Sequence, residues 1–384
     1  MECYLDNSAT TRCSKAAAEM VTKVLREDYG NPSSLHNKGM EAEQYIKESR
    51  QIIAKSLKVD PKEIIFTSGG SESNNLAILG ACYANKRIGR HVITTAIEHP
   101  SVFQPMKALE EAGYEISYLP VDERGVCDLK VLADEIREDT VLVSMMHVNN
   151  EIGTIQPIEE AARIIHDRNA NTLFHVDAIQ SYGKVDLFPR KTMIDMVSVS
   201  GHKLHGPKGS GFLYVRDKVK LSPIIYGGGQ EWGRRSGTEN VPAIAGLGVA
   251  VQEMFHNKEQ HIQKLYELKE SLRSQLSKVE GISFNGAEGV GGAPQILSVS
   301  VDGVRAEVML HALEDRGVYC SAGSACSSNR PAISRTLQAI GLKKELLDAT
   351  VRFSLSIYTT QEEIDAAADA MAELVVALRK YRRY

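Results

Sequence analysis

From about residue 60 to residue 215 the chain alternates between short runs rich in Val, Ile, Phe and Thr and longer stretches with helical apolar spacing. Strands are expected at Glu63–Thr67, His91–Thr95, Thr140–Met146, Leu173–Val176, Asp195–Val199 and Gly211–Val215. Helices are expected between several of them, for instance from near Ser71, over Ser101–Ala112 and over Ile158–Arg168. The strand runs are nearly continuous in apolar residues, as strands buried on both faces must be. Strand and helix in this repetition predict an α/β fold, with a mainly parallel sheet covered by helices on both faces.

A chain of 384 residues, 43% hydrophobic, exceeds what one core usually organises, so two domains are expected. A helical segment over Ala243–Val279 reads as the bridge to the second. There, Gln295–Val301 and Val351–Ile357 read as strands and Arg305–Arg316 as a helix. Thr360-Gln-Glu-Glu363 is a capping box opening a last amphipathic helix. The glycine-rich stretch Gly286–Gly292 reads as a loop.

Charge and composition exclude several classes. The net charge is −4 with acids and bases interspersed, so no basic stripe suited to nucleic acid is present. The basic cluster Arg379, Lys380, Arg382 and Arg383 suits a solvated helix end. The most apolar stretch, Val241–Val251, contains Pro242 and is too short to span a bilayer. The start, Met1-Glu2-Cys3-Tyr4, has no signal-peptide character. The cysteines, Cys3, Cys13, Cys82, Cys127, Cys320 and Cys326, form no Cys-x-x-Cys pair and no disulfide framework. A soluble protein of a reducing compartment, the cytoplasm, is expected. No histidine spacing resembles a metal site.

Several segments could carry chemistry, though each alone has a plainer reading. Ser200-Gly-His-Lys203 presents a lysine where a buried strand ends, a place where desolvation lets a lysine form a Schiff base; a surface turn is the plainer reading. Asp177 in His175-Val-Asp177-Ala-Ile-Gln180 could keep a pyridine nitrogen protonated, or simply cap a helix. Thr67-Ser-Gly-Gly-Ser-Glu-Ser-Asn-Asn75 could turn backbone N–H groups toward a phosphate, or be a tight turn. His99 follows a strand and precedes Pro100, a typical first helical residue. Cys326, within Ser321-Ala-Gly-Ser-Ala-Cys326-Ser-Ser-Asn329, is surrounded by small residues, which favours reactivity over packing. Cys320 is expected to belong to a strand. Gly70, His99, Asn150, Asp177 and Lys203 each close a strand of one sheet, so these segments converge on one crevice.

On these residues the sequence resembles the cysteine desulfurases of the class V aminotransferase family, of the NifS/IscS type. The resemblance runs from Tyr4-Leu-Asp-Asn-Ser-Ala-Thr-Thr11 to Glu363-Ile-Asp365. It includes Tyr29-Gly-Asn-Pro-Ser-Ser34, Val148-Asn-Asn-Glu-Ile-Gly153, Gly227-Gly-Gly-Gln-Glu231, Arg235-Ser-Gly-Thr238 and Gly323-Ser-Ala-Cys326. It implies the fold of pyridoxal-phosphate-dependent transferases (aminotransferase fold type I): a mainly parallel seven-stranded sheet in a large domain over 15–255. A smaller α/β domain of 1–14 and 256–384 would carry the Cys326 loop.

The resemblance also implies site roles. Pyridoxal 5'-phosphate would be the cofactor, bonded to Lys203, with His99 stacked on its ring and Asp177 at its nitrogen. Asn150 and Gln180 would touch the ring substituents. Gly70, Ser71, Ser200 and His202 would hold the phosphate, with Thr238 arriving from the partner of a homodimer. Arg352 would bind the carboxylate of L-cysteine, with Asn31 nearby, and Cys326 would carry the sulfur to an acceptor protein for iron–sulfur cluster assembly or tRNA thiolation. Selenocysteine lyase, another lyase or aminotransferase of the family, and a catalytically quiet docking partner are the alternatives. Departures from the pattern are Ser71 for threonine, Ser356-Ile357 for Gly-Arg, a Ser328–Ser334 stretch without the usual acidic-proline sequence, and an end at Tyr384 without a longer docking tail. They leave the acceptor open.

Overall fold

The computed structural model describes residues 1–322 and 333–380. Seven strands build the large sheet: β1 (Ile64–Thr67), β2 (His91–Thr95), β3 (Glu115–Leu119), β4 (Thr140–Met146), β5 (Leu173–Asp177), β6 (Met196–Ser200) and β7 (Gly211–Val215). Their order is β1-β7-β6-β5-β4-β2-β3. Neighbours run parallel except at β7, which is antiparallel to β1 and β6. Alternate residues of each strand feed opposite cores, which is why the runs read as continuous. Phe66, Val197, Val199, Phe212 and Tyr214 face one side with Ile46 and Ile53 of helix α1 (Asn37–Leu57). Ile65, Met196, Leu213 and Val215 face the other, against Leu76 and Ile78 of α2 (Gly70–Ala84) and Val102 and Met106 of α3 (Pro100–Glu111).

The sequence leads to one long helix over Ala243–Val279. The structure corrects this to two, α4 (Val241–His256) and α5 (Lys258–Leu276), separated by Asn257 with φ −127°. Asparagine's side chain competes for backbone hydrogen bonds, which suits it to such a break. Beyond it, β8 (Ile282–Asn285), β9 (Ile296–Val301), β10 (Ser321–Ala322) and β11 (Thr350–Ser354) form an antiparallel sheet in the order β10-β11-β9-β8. The strand expected to reach Ile357 ends at Ser354, and the chain turns where Ser356 N–H donates to Thr359 Oγ1 at 2.9 Å. Cys320 lies between the short strand Val318–Tyr319 and β10, not inside either.

The helices of this region include α6 (Arg335–Ala339) and α7 (Gln361–Arg379), the latter opened by the Thr360–Glu363 capping box with both of its bonds formed. A third core joins Leu268, Leu272, Val299, Phe353, Ile364 and Met371, and takes Cys3 and Leu5 from the N-terminus. Cys3–Tyr4 pairs in parallel with Val318–Tyr319. The N-terminal segment then continues alongside β11, bridging Asp6 to Ser354, before crossing to the large sheet.

Candidate active site

Gly70, Ser71, His99, Asn150, Asp177, Gln180, Ser200, His202, Lys203 and Arg352 line one cavity of about 550 Å³. It opens where parallel strands end, the usual ligand position in such sheets.

One end is built for an anion. Helix α2 starts after Gly69, whose φ is +149°, and no side chain caps its first turn. Its leading N–H groups are therefore left for a ligand. A Cβ on Gly70 would lie 2.2 Å from Ile179 Cδ1, so glycine here lets the turn approach without moving that side chain. Ser200 Oγ is buried without a hydrogen-bond partner among the described residues, and Lys208 lines the same cavity.

Asp177 ends β5 and is buried. Burial pushes its pKa up, while its carboxylate accepts from Ile179 N at 3.0 Å and Asn74 Nδ2 at 2.8 Å, and the charges on His99 and Lys203 also favour its ionised form. Asn74 donates a second bond to Ser101 Oγ at 2.9 Å, and Ser101 Oγ lies 2.8 Å from His99 Nδ1. His99 caps α3, its Nδ1 accepting from Ser101 N at 3.1 Å, with Pro100 at the first helical position. A ring nitrogen that accepts carries no proton, so neutral His99 holds its proton on Nε2. Burial pulls the pKa of His99 down, opposed by Asp177 and aided by Lys203.

Lys203 sits in the single 3₁₀ turn Gly201–Lys203 directly after β6. Its ammonium donates to the carbonyls of Ser8 and of Ala9, the latter at 2.7 Å. Behind it, the buried Lys184 donates to the Lys203 carbonyl at 2.9 Å, and burial together with the Lys203 charge pulls Lys184 down to about 7. His202 Nδ1 lies 3.1 Å from Thr10 Oγ1, and burial takes this histidine down to about 4. Gln180 Nε2 donates to the Ser8 carbonyl at 3.0 Å.

The other end of the cavity holds Arg352, buried in β11. Its guanidinium donates to Asp6 Oδ1 and to the Asn150 carbonyl, each at 2.8 Å, and its buried Nε has no partner among the described residues. Residues 6–11 thus strap the two sheets together: Asp6 holds Arg352, Ser8 and Ala9 hold Lys203, and Thr11 N donates to the His202 carbonyl at 2.8 Å.

Not every expected residue meets here. Asn31 and Thr238 are exposed and line no part of this cavity. Cys326 lies outside the described residues. The small-residue stretch expected to begin as a loop at Ser321 begins instead as strand β10, paired with Arg352 and Val351. Sequence reasoning also passes over Asp6, Asn74, Ser101 and Lys184. Asn74 is one helical turn after Gly70 and Asp6 is in the N-terminal stretch of the resemblance, so both had a signal. Nothing in the sequence distinguishes Lys184.

The residues fit pyridoxal phosphate: an uncapped helix start and an orphaned serine hydroxyl for the phosphate, a buried carboxylate for the ring nitrogen, and a lysine between them. Fold and site together define a pyridoxal-phosphate-dependent enzyme of the transferase class. The chain belongs to the Aminotransferase class-V family, whose model matches residues 3–367. It is 40% identical over 384 residues to the cysteine desulfurase IscS of Dictyoglomus turgidum, covering 100% of this chain and 97% of that one. Among solved structures it resembles a NifS-like protein with a TM-score of 0.93 at 38% identity, covering 98% of this chain and 100% of the other. It also resembles SspA in complex with cysteine, with a TM-score of 0.80 at 35% identity over 94% of this chain and 100% of that one.

Proposed function

We infer that this chain is a cysteine desulfurase that converts L-cysteine to L-alanine and passes the sulfur on as a persulfide of Cys326. The observation that carries this is one cavity with an anion cradle, Asp177, His99 and Lys203 at one end and Arg352 at the other. That spacing suits a cofactor plus a small amino acid, and a relative solved with cysteine shares the fold.

Bound pyridoxal phosphate supplies an electron sink for bond cleavage at the substrate. Gly70, Ser71, Ser200 and His202 would hold the phosphate, Asn150 and Gln180 the ring substituents, and Asp177 the ring nitrogen. Lys203 would anchor the cofactor, and its free amine would be placed to take the substrate Cα proton. Arg352 would fix the substrate carboxylate through its planar fork. Neutral His99, with its proton on Nε2, would be a proton donor in the same cavity. Cys326 as thiolate then bonds to the substrate sulfur while the carbon–sulfur bond breaks. That bond's electron pair stays with the carbon skeleton, which leaves as alanine after protonation.

The protein is read as a homodimer. Large hydrophobic side chains crowd the segments of Asn31 and Thr238, with Leu35 99% and Tyr226 80% exposed, and Tyr29 and Trp232 also exposed. Such patches mark interaction surfaces, and a second copy would bring both residues to a cavity edge. No helix among the described residues is long and apolar enough to cross a membrane. A cytoplasmic enzyme serving a sulfur-acceptor protein, for clusters or tRNA thiolation, is consistent with the free thiols of Cys3, Cys13, Cys82, Cys127 and Cys320.

The test is product analysis of the cofactor-loaded enzyme with L-cysteine. One alanine per cysteine consumed is expected; pyruvate as the main product would replace this reading with a different lyase.

A further inference from the structure

Residues 226–238 form a loop beside the phosphate cradle. Two consecutive non-glycine residues in it, Glu231 (φ 47°) and Trp232 (φ 56°), have left-handed backbone. Side chains adopt this conformation only where their surroundings hold them in it.

The holding group is Arg50 of α1. Its guanidinium pairs with both Glu231 carboxylate oxygens, at 2.9 and 2.8 Å. It also lies 4.6 Å from the ring centroid of Phe66 and 4.6 Å from that of Trp232, so it is sandwiched between them. Glu231 accepts in addition from Phe66 N at 3.1 Å, which pins the loop to β1, the strand that leads into Gly70. A second tie follows: Arg235 donates to Glu72 at 2.8 Å, in the first turn of α2 and on the cavity wall. The loop is closed across its base by Gly237 N donating to Gln230 Oε1 at 2.9 Å.

The inner side is therefore fixed while the outer side is bare. The Glu231 side chain is 2% exposed, yet Tyr226, Trp232 and Thr238 face solvent. A strained and doubly anchored loop that displays aromatic rings and a hydroxyl, none of which lines its own cavity, is built to be met by another surface.

We propose that Arg50 and Glu231 are positioning residues: their clamp holds the loop so that Thr238 is set, before assembly, to donate its hydroxyl to the phosphate bound by a second copy of this chain. This rests on the homodimer reading.

The test uses E231Q, R50K, T238A and the E231Q/T238A double variant. Equilibrium binding of pyridoxal phosphate and of pyridoxal, which lacks the phosphate, is measured by visible absorbance, with sedimentation alongside. E231Q and T238A are each expected to weaken pyridoxal-phosphate binding roughly tenfold, the scale of one lost hydrogen bond to an anion, and to leave pyridoxal binding unchanged. R50K keeps the charge but not the fork, and roughly a threefold loss is expected. The double variant should match T238A alone, because a clamp without Thr238 has nothing to position. Trp232, the one tryptophan in the chain, gives a second readout: its fluorescence anisotropy should fall in E231Q.

Folded E231Q or R50K with wild-type affinity, equal losses for pyridoxal, or losses that multiply in the double variant would overturn the clamp. R50K decides the matter alone if E231Q does not fold. T238A with wild-type affinity removes the Thr238 contact and the clamp with it, while a monomeric wild type in sedimentation removes the homodimer reading itself.

Discussion

Arg352→Ala separates substrate binding from cofactor binding. In the structure the guanidinium is buried, held by Asp6 and the Asn150 carbonyl at 2.8 Å each, with no partner for Nε among the described residues. Neither partner belongs to the anion cradle or is Asp177, and of Asn150 only the backbone carbonyl is held. Loss of a charge-assisted contact to a carboxylate costs about 1.5–3 kcal/mol. Since 1.4 kcal/mol is tenfold, KM for L-cysteine should rise by roughly one to two orders of magnitude. Asp6 loses its partner, but its side chain is 21% exposed and water can replace the arginine. The Arg352 side chain itself is only 5% exposed, so a largely buried pair is broken and stability should also fall, by up to about 3 kcal/mol. Arg352→Lys keeps the charge without the fork and should fall between the two. The assay is alanine formation against cysteine concentration, with the visible spectrum recorded for each variant. A KM within about threefold of wild type in Arg352→Ala would show that the carboxylate binds elsewhere; an altered cofactor spectrum would show that Arg352 serves the cradle.

Two further outcomes follow from the cavity floor. Lys203→Ala should lose the yellow colour and turnover while still binding pyridoxal phosphate through the cradle; wild-type turnover would remove Lys203 from its role. Lys184 is held at about 7 in the fold, well below the roughly 10.4 of an unfolded lysine. Between those values the unfolded chain carries the extra proton, so this residue makes stability rise with pH across that window. Lys184→Met should abolish its share of the rise, measured as a smaller difference in melting temperature between pH 9 and pH 7 than in wild type. An equal difference would place Lys184 in contact with water.

The buried strands are the most legible part of this fold. β2, β4 and β7 can be read to the residue because both faces of each are covered and every position is buried. β3 escapes, because an edge strand leaves Glu115 exposed and its next three residues half-buried, which erases the pattern. The break at Asn257 escapes for a different reason: periodicity continues through it, and only the backbone shows the interruption. In the site, residues at strand ends are legible because parallel topology alone brings them together. Asp6, Ser101 and Lys184 act through contacts between distant segments, Asp6 to Arg352 and Lys184 to the Lys203 carbonyl, which no local spacing encodes.

Cofactor-loaded enzyme treated with L-cysteine and digested without reductant offers the most direct measurement, by mass spectrometry of every cysteine peptide. One added sulfur is expected on the peptide containing Cys326 and on no other, together with alanine, and Cys326→Ser should form neither. Cys320 is held in reserve as the decisive contrast, since burial pushes its thiol far above the usual range and leaves it a poor nucleophile. Sulfur found on Cys320, or undiminished alanine from Cys326→Ser, would contradict transfer through Cys326.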